Sequence, residues 1–369
     1  MATFDSTTTN LLPKAQVQAV QSVTAMTATE TRLVLPVSVP DTTRSDIFRA
    51  WCHAILYYQN VSGEDSGWKL AGWGKESLGR FLQERPIFAG RLRREEEGRL
   101  EIVSNDCGLR LFEARVQKTL SEFLELKERE DAEASLVYWK DIDEQNPQFS
   151  PLFYVQVTNF LCGGYSIGIS SSLLLSDPVA MTTGFLKKWA KIHANFVSET
   201  DPTKLPLFYM PNLKPNSPSH IYPFGSNPST RRGKAMIFKT TIEKTNMGDE
   251  MRRSLALQCI EEAEKKLNGA KMASEFSLLV KLPPEEIKVE KYTREGLKEK
   301  MSKFNCGLSV RSWDELGAAE VSFHGGNMPL RVSWWINSGL DEEGLVVLAP
   351  NPDEGASEMN AIVTVPSET

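Results

Sequence analysis

The clearest hydrophobic pattern lies at 162–198. It opens Cys162-Gly163-Gly164-Tyr165-Ser166-Ile167-Gly168-Ile169 and runs through three serines to Leu173-Leu174-Leu175-Ser176-Asp177-Pro178. Adjacent glycines accept positive φ without steric cost, so 162–164 predicts a tight turn. Residues 165–171 alternate well enough for a strand, and Leu173, Leu174 and Leu175 carry the chain inward. Asp177 predicts a helix N-cap, with Pro178 at the first helical position, where its missing N–H is harmless. Phe185, Leu186, Trp189, Ile192, Phe196 and Val197 then recur at helical spacing, with Lys187, Lys188 and Lys191 largely outside that stripe, so the helix runs to about Val197. A strand that bends into a capped helix is suited to presenting a side chain to a cavity.

The same reading elsewhere predicts a helix over Asp46–Tyr58, capped by Asp41 or Ser45 and carrying His53. A second helix covers Trp73–Phe88, a hairpin turns at Gly98 with Leu100–Val103 returning, and Asn105–Gly108 is a further turn holding Cys107. Residues 116–130 read as a charged amphipathic helix and 149–160 as a strand. From 201 to 233 prolines from Pro202 to Pro228 mix with Asn, Ser and Lys, the composition of an extended linker. That divides the chain into 1–200 and 234–369. The second part predicts strands at Ala235–Thr241, Met272–Leu282, Leu330–Trp335, Glu343–Pro350 and Ala361–Val365, and a helix at Glu250–Leu267. Residues 1–15 read as disordered.

Composition narrows the function classes. A chain of 369 residues with 41% apolar residues can hold two ordinary cores. The net charge of −6 is interspersed, with no basic stripe to bind nucleic acid. No run reaches the ~18–20 apolar residues of a membrane span. The start lacks the pattern of a secretory signal. It is Ser/Thr-rich and acid-poor like a transit peptide, but carries only Lys14 and Arg32 as early basic residues. Five scattered cysteines (52, 107, 162, 259, 306), none in a C-x-x-C pair, point to reduced thiols and a cytoplasmic location. With four dispersed histidines there is no metal ligand set. Gly163-Gly164 and Gly325-Gly326 lack phosphate-loop spacing. Ser170, Ser171, Ser172 and Ser176 show no nucleophile-elbow pattern and read as residues that satisfy backbone groups or line a pocket. Cys162 has no cationic neighbour in sequence to activate it.

The Gly163-Gly164 turn, the strand, Asp177 and the helix after it resemble the signature of the plant BAHD, or HXXXD-type, acyltransferases. Pro86-Ile87-Phe88-Ala89-Gly90-Arg91-Leu92 and the 105–108 turn resemble two further landmarks of that family. The resemblance implies a two-domain α/β (α+β) fold like chloramphenicol acetyltransferase, with mixed sheets flanked by helices and a crossover loop at 201–233. It also implies a second domain that is shortened here, with several tens of residues missing between about Leu282 and Cys306. The family histidine is a general base that takes a proton from an alcohol or amine as it attacks a coenzyme A thioester. The family aspartate orders the site through a salt bridge. Counted back from Asp177, the histidine position falls on Leu173, which accepts no proton at any pH. The family's second marker, Asp-Phe-Gly-Trp-Gly, falls on Ser322-Phe323-His324-Gly325-Gly326, where only Phe323 and Gly326 agree. This degenerate form resembles the eceriferum-type branch, known for assisting very-long-chain fatty acid elongation in wax synthesis without needing acyl transfer.

The expectation is therefore a monomeric protein that binds acyl-CoA or an acyl chain, with no tightly held cofactor and without general-base catalysis. It could partner an enzyme such as a fatty acid elongase at the endoplasmic reticulum surface. Residues 322–326 are the expected coenzyme A side, and His324 reads either as a turn residue beside two glycines or as a replacement for the lost base. The alternative is an active but altered CoA-dependent O- or N-acyltransferase.

Overall fold

The computed structural model describes residues 12–30, 32–61, 66–200, 232–240, 248–267, 272, 274–282, 286–298, 307–339, 343–351 and 358–365. In chain order these form β1 (Gln16–Val23), β2 (Val34–Ser38), α1 (Arg44–Phe48), β3 (Trp51–Tyr58), α2 (Gly67–Glu84), β4 (Arg91–Arg94), β5 (Leu100–Val103) and β6 (Leu109–Arg115). Next come α3 (Leu120–Leu124), α4 (Arg129–Glu133), β7 (Phe153–Asn159), β8 (Tyr165–Ser172), α5 (Pro178–Ala180) and α6 (Lys187–Glu199). The second part holds β9 (Lys234–Thr240), α7 (Asp249–Lys266), β10 (Glu275–Leu282), β11 (Glu286–Thr293), α8 (Arg294–Lys298), β12 (Leu308–Arg311), β13 (Arg331–Asn337), β14 (Gly344–Pro350) and β15 (Met359–Val365).

The strands make two mixed sheets. One has the order β1-β6-β7-β8-β3-β13, the other β12-β9-β15-β14-β10-β11-β2-β5-β4. Neither is confined to one half of the chain: β13 closes the first sheet, while β2, β4 and β5 extend the second. The fold class is thus α/β, two mixed sheets flanked by helices. Of the linker expected at 201–233, residues 201–231 lie outside the described residues, as do 1–11 of the stretch read as disordered. The stretch after Leu282 that was expected to be missing residues leads within four positions into β11; 299–306 lie outside the described residues.

The largest departure from expectation is β3. Trp51–Tyr58 was read as part of a helix, yet α1 stops at Phe48 and the chain reverses at Arg49-Ala50 into a strand. Every residue of β3 is buried. A strand covered on both faces loses the period of two that betrays a strand, so an apolar run of this length fits either element. The expected 116–130 helix is instead two short helices, α3 and α4, separated by a turn. Only α3 has a capping box, with Thr119 and Glu122 bonding reciprocally. The sequence pattern predicts no strand at β1, β2, β6, β11 or β12.

On β3, Cys52, Ala54, Leu56 and Tyr58 face one way and Trp51, His53, Ile55 and Tyr57 the other. The Cys52 face meets α2 and α6 through Phe81, Phe153, Phe185, Trp189 and Phe323, a chain of ring contacts with centroids 4.5–5.0 Å apart at Phe81–Phe185, Phe153–Phe185 and Trp189–Phe323. The His53 face is covered by the segment around 129–142. There the buried carboxylate of Glu133 accepts hydrogen bonds from Tyr57 (3.1 Å), Ser333 (2.7 Å) and Arg232 (2.9 Å). Arg232 also lies 4.1 Å over the Trp335 ring. One acidic group thereby ties β3, the β13 strand from the second part and the end of the linker together.

Candidate functional site

The bend after β8 is built as its sequence predicts. Gly163 takes φ of +83°, and Gly164 sits so close to Leu120 and the Tyr58 carbonyl that a Cβ would lie 3.1 Å from each. The strand follows, then the turn at Leu173–Leu175. Asp177 Oδ1 accepts the backbone N–H groups of Val179 and Ala180, both at 3.1 Å, and so caps the helix. Thr182 and Thr183 bond back to the carbonyls of Pro178 and Val179 within a six-residue π-helical stretch, Met181–Leu186, that joins α5 to α6. Such widened turns recur at functional sites.

Leu173 is fully buried in the core, and its N–H donates to the Ala50 carbonyl at 3.0 Å. The other oxygen of Asp177 faces Lys281 of β10, with Nζ 3.7 Å away and both side chains buried. The pair links the two sheets. At that distance it is an ion pair without a hydrogen bond, and Lys281 Nζ has no acceptor among the described residues. Burial holds the Lys281 amine below its ordinary range, against the opposing pull of Asp177 and Cys52. Burial, and then the Asp177 carboxylate, push the neighbouring Cys52 thiol well up, so it is no nucleophile.

Three of the four serines do bond backbone. Ser171 donates to the Ser172 carbonyl, Ser172 accepts from Leu174 N–H, and Ser176 donates to the Asp177 carbonyl. Ser170 differs: its hydroxyl lies 2.9 Å from His53 Nδ1. That serine–histidine pair was hidden while His53 was placed on a helix. His53 is fully buried between Trp139 and Trp335, and burial takes its pKa down to about 3. It is about three residues of strand, roughly 10 Å, from the Leu173 backbone contact. A second buried pair, His193 and Ser77 at 2.9 Å, also takes Trp189 Nε1 as a donor.

His324 and its neighbours are not brought to Asp177. Tyr58 donates to the Val321 carbonyl and Asn327 to the Gln59 carbonyl, which fixes this turn at the far end of β3. From Ala50 to Gln59 a strand rises roughly 25–30 Å. Phe323 anchors the turn by packing on Trp189 and His193, and Gly325 and Gly326 turn with φ of +51° and +77°. So Phe323, Gly325 and Gly326 shape the turn, Ser322 is half-buried beside it, and His324 is too distant to stand in at position 173.

A model of the Transferase family matches residues 15–279, well over half of the chain. The chain belongs to the BAHD acyltransferase family. "Protein ECERIFERUM 26-like" of Arabidopsis thaliana is 38% identical over 109 residues, covering 30% of this chain and 25% of the relative. The hydroxycinnamoyl-CoA:piscidic acid hydroxycinnamoyltransferase of Actaea racemosa is 34% identical over 154 residues, covering 40% of this chain and 33% of the relative. The chain thus matches about a quarter to a third of these relatives' own length. The crystal structure of vinorine synthase superposes with a TM-score of 0.48 at 15% identity, covering 96% of this chain and 95% of that one. Leu173 and Asp177 stand four positions apart at the bend, and the Asp is paired with Lys281.

Among the described residues no group of three or more His, Cys, Asp or Glu could hold a metal, and no helix is long and apolar enough to cross a membrane.

Proposed function

We propose that this BAHD protein binds a coenzyme A thioester or its acyl chain without transferring the acyl group by general-base catalysis. One observation carries the reading: a fully buried Leu173 fills the base position, while the scaffold around it, including the Asp177 cap, is kept. General-base catalysis contributes about 10²–10⁴-fold, and a leucine supplies none of it. The protein would then act as a carrier or as a partner of an acyl-chain enzyme, in very-long-chain fatty acid or wax metabolism. The likeness to ECERIFERUM 26-like supports that setting. The expected result is saturable binding of long-chain acyl-CoA in calorimetry, with no turnover when an alcohol is added. Turnover at ordinary enzymatic rates would overturn it.

A second reading, an altered CoA-dependent acyltransferase, rests on Lys281. Its amine is buried beside Asp177, has no hydrogen-bond acceptor and is held below its usual range. Where that amine gives up its proton, it takes the acceptor's hydroxyl proton as oxygen attacks the thioester carbon, and returns it to the departing thiolate. The two readings part on Leu173→His. In a binder with no acceptor subsite it leaves activity at zero. In an enzyme with its acceptor subsite intact it adds a base at the family position to the poorly placed Lys281 and raises kcat at least tenfold with KM little changed, measured as thiol release from acyl-CoA.

A further inference from the structure

The face of the first sheet turned away from α2, α6 and Asp177 holds a cleft that the family reading leaves unused. Its cavity volume is about 660 Å³, within the range of small-molecule sites. The bulged end of the edge strand β1 forms one wall. Aromatic rings form the others. Phe112 and Tyr138 stack at 4.0 Å and 20°, Tyr154 meets Tyr138 at 5.3 Å, and Phe149 stands at the rim with 77% of its surface exposed. Two cations line the same cleft, Arg110 from β6 and Lys140 from the covering segment, and no carboxylate is among its lining residues. One terminal nitrogen of Arg110 is buried with no acceptor among the described residues.

A buried guanidinium donor without an acceptor is costly, and a planar carboxylate is the group that matches its fork. Stacked rings beside it hold a flat apolar body. We propose that this cleft is a second binding site, for a flat aromatic ligand carrying one carboxylate. Arg110 and Lys140 grip the carboxylate, and Phe112, Tyr138, Tyr154 and Phe149 hold the ring. The site lies on the opposite sheet face from Leu173 and is independent of acyl-CoA binding there.

The test is calorimetric titration of the purified full chain with 2-naphthoate, with neutral 2-naphthalenemethanol and with adenosine monophosphate. The expected result is a Kd below about 1 mM for 2-naphthoate, with the neutral analogue at least tenfold weaker. Arg110→Gln weakens 2-naphthoate at least tenfold and Lys140→Gln several-fold. Lys140 is exposed, so Lys140→Gln keeps its fold and carries the test should Arg110→Gln unfold. Equal binding of the neutral analogue, tighter binding of the nucleotide, or affinities indifferent to both charge substitutions would each overturn the proposal.

Discussion

Asp177→Ala destabilises the chain by about 3.5–7 kcal/mol, the sum of a lost helix cap and a buried ion pair stripped of one partner. Two separate losses add. The first is the helix cap: Oδ1 accepts two backbone N–H groups, and removing such a cap costs about 0.5–2 kcal/mol. The second is charge: Lys281 Nζ is left buried without the carboxylate 3.7 Å away, and nothing else described accepts from it. Asp177→Asn separates the two, because an amide oxygen can still cap while the charge is gone. Denaturant unfolding of the two variants, with Lys281→Met in each background, gives the cycle. Adding Lys281→Met should recover most of the loss in Asp177→Asn, since removing both charges together costs far less than removing one. An Asp177→Ala variant as stable as the parent would show that the pair does not join the two sheets. The effect is on stability, so it appears whether or not the protein transfers acyl groups.

How this site was legible is itself physical. The Gly163–Asp177 platform could be read because its signals are local: two glycines, a short strand and a cap one residue before a proline. Nothing in the sequence pointed to Lys281, because its partner lies 104 positions away on the other sheet. β3 was misread because burial on both faces erased its period, and that error also hid the His53–Ser170 pair. His324 looked like a replacement base only while its turn had no place in space. The hydrogen bonds from Tyr58 and Asn327 put it at the other end of β3. Strand exchange between the halves was equally hidden, since β13 is separated from β3 by most of the chain.

Acid should unfold the protein earlier than its carboxylates alone would require. His53 and His193 both titrate near 3 in the folded chain, against about 6.5 for an unfolded one, and burial is the main cause for each. The sign follows from proton counting. Above pH 6.5 both states hold neutral imidazoles and the histidines contribute nothing to pH dependence. Below it the unfolded chain gains protons that the folded chain refuses, so stability falls as pH falls, by about 1.4 kcal/mol per unit for each histidine down to about pH 3. Between pH 7 and pH 5 the two together remove about 4 kcal/mol. The geometry agrees for His53: its imidazolium would need an acceptor at Nε2, and that atom is buried with none among the described residues. For His193 the field of His324 adds to burial. Urea unfolding at pH 7 and pH 5 measures the loss, and the His53→Gln/His193→Gln double variant serves as reference. It should lose about 4 kcal/mol less than the parent across that interval, because the carboxylates titrate alike in both. Equal losses would mean that the two imidazoles charge in the folded state, which requires water to reach the ring between Trp139 and Trp335.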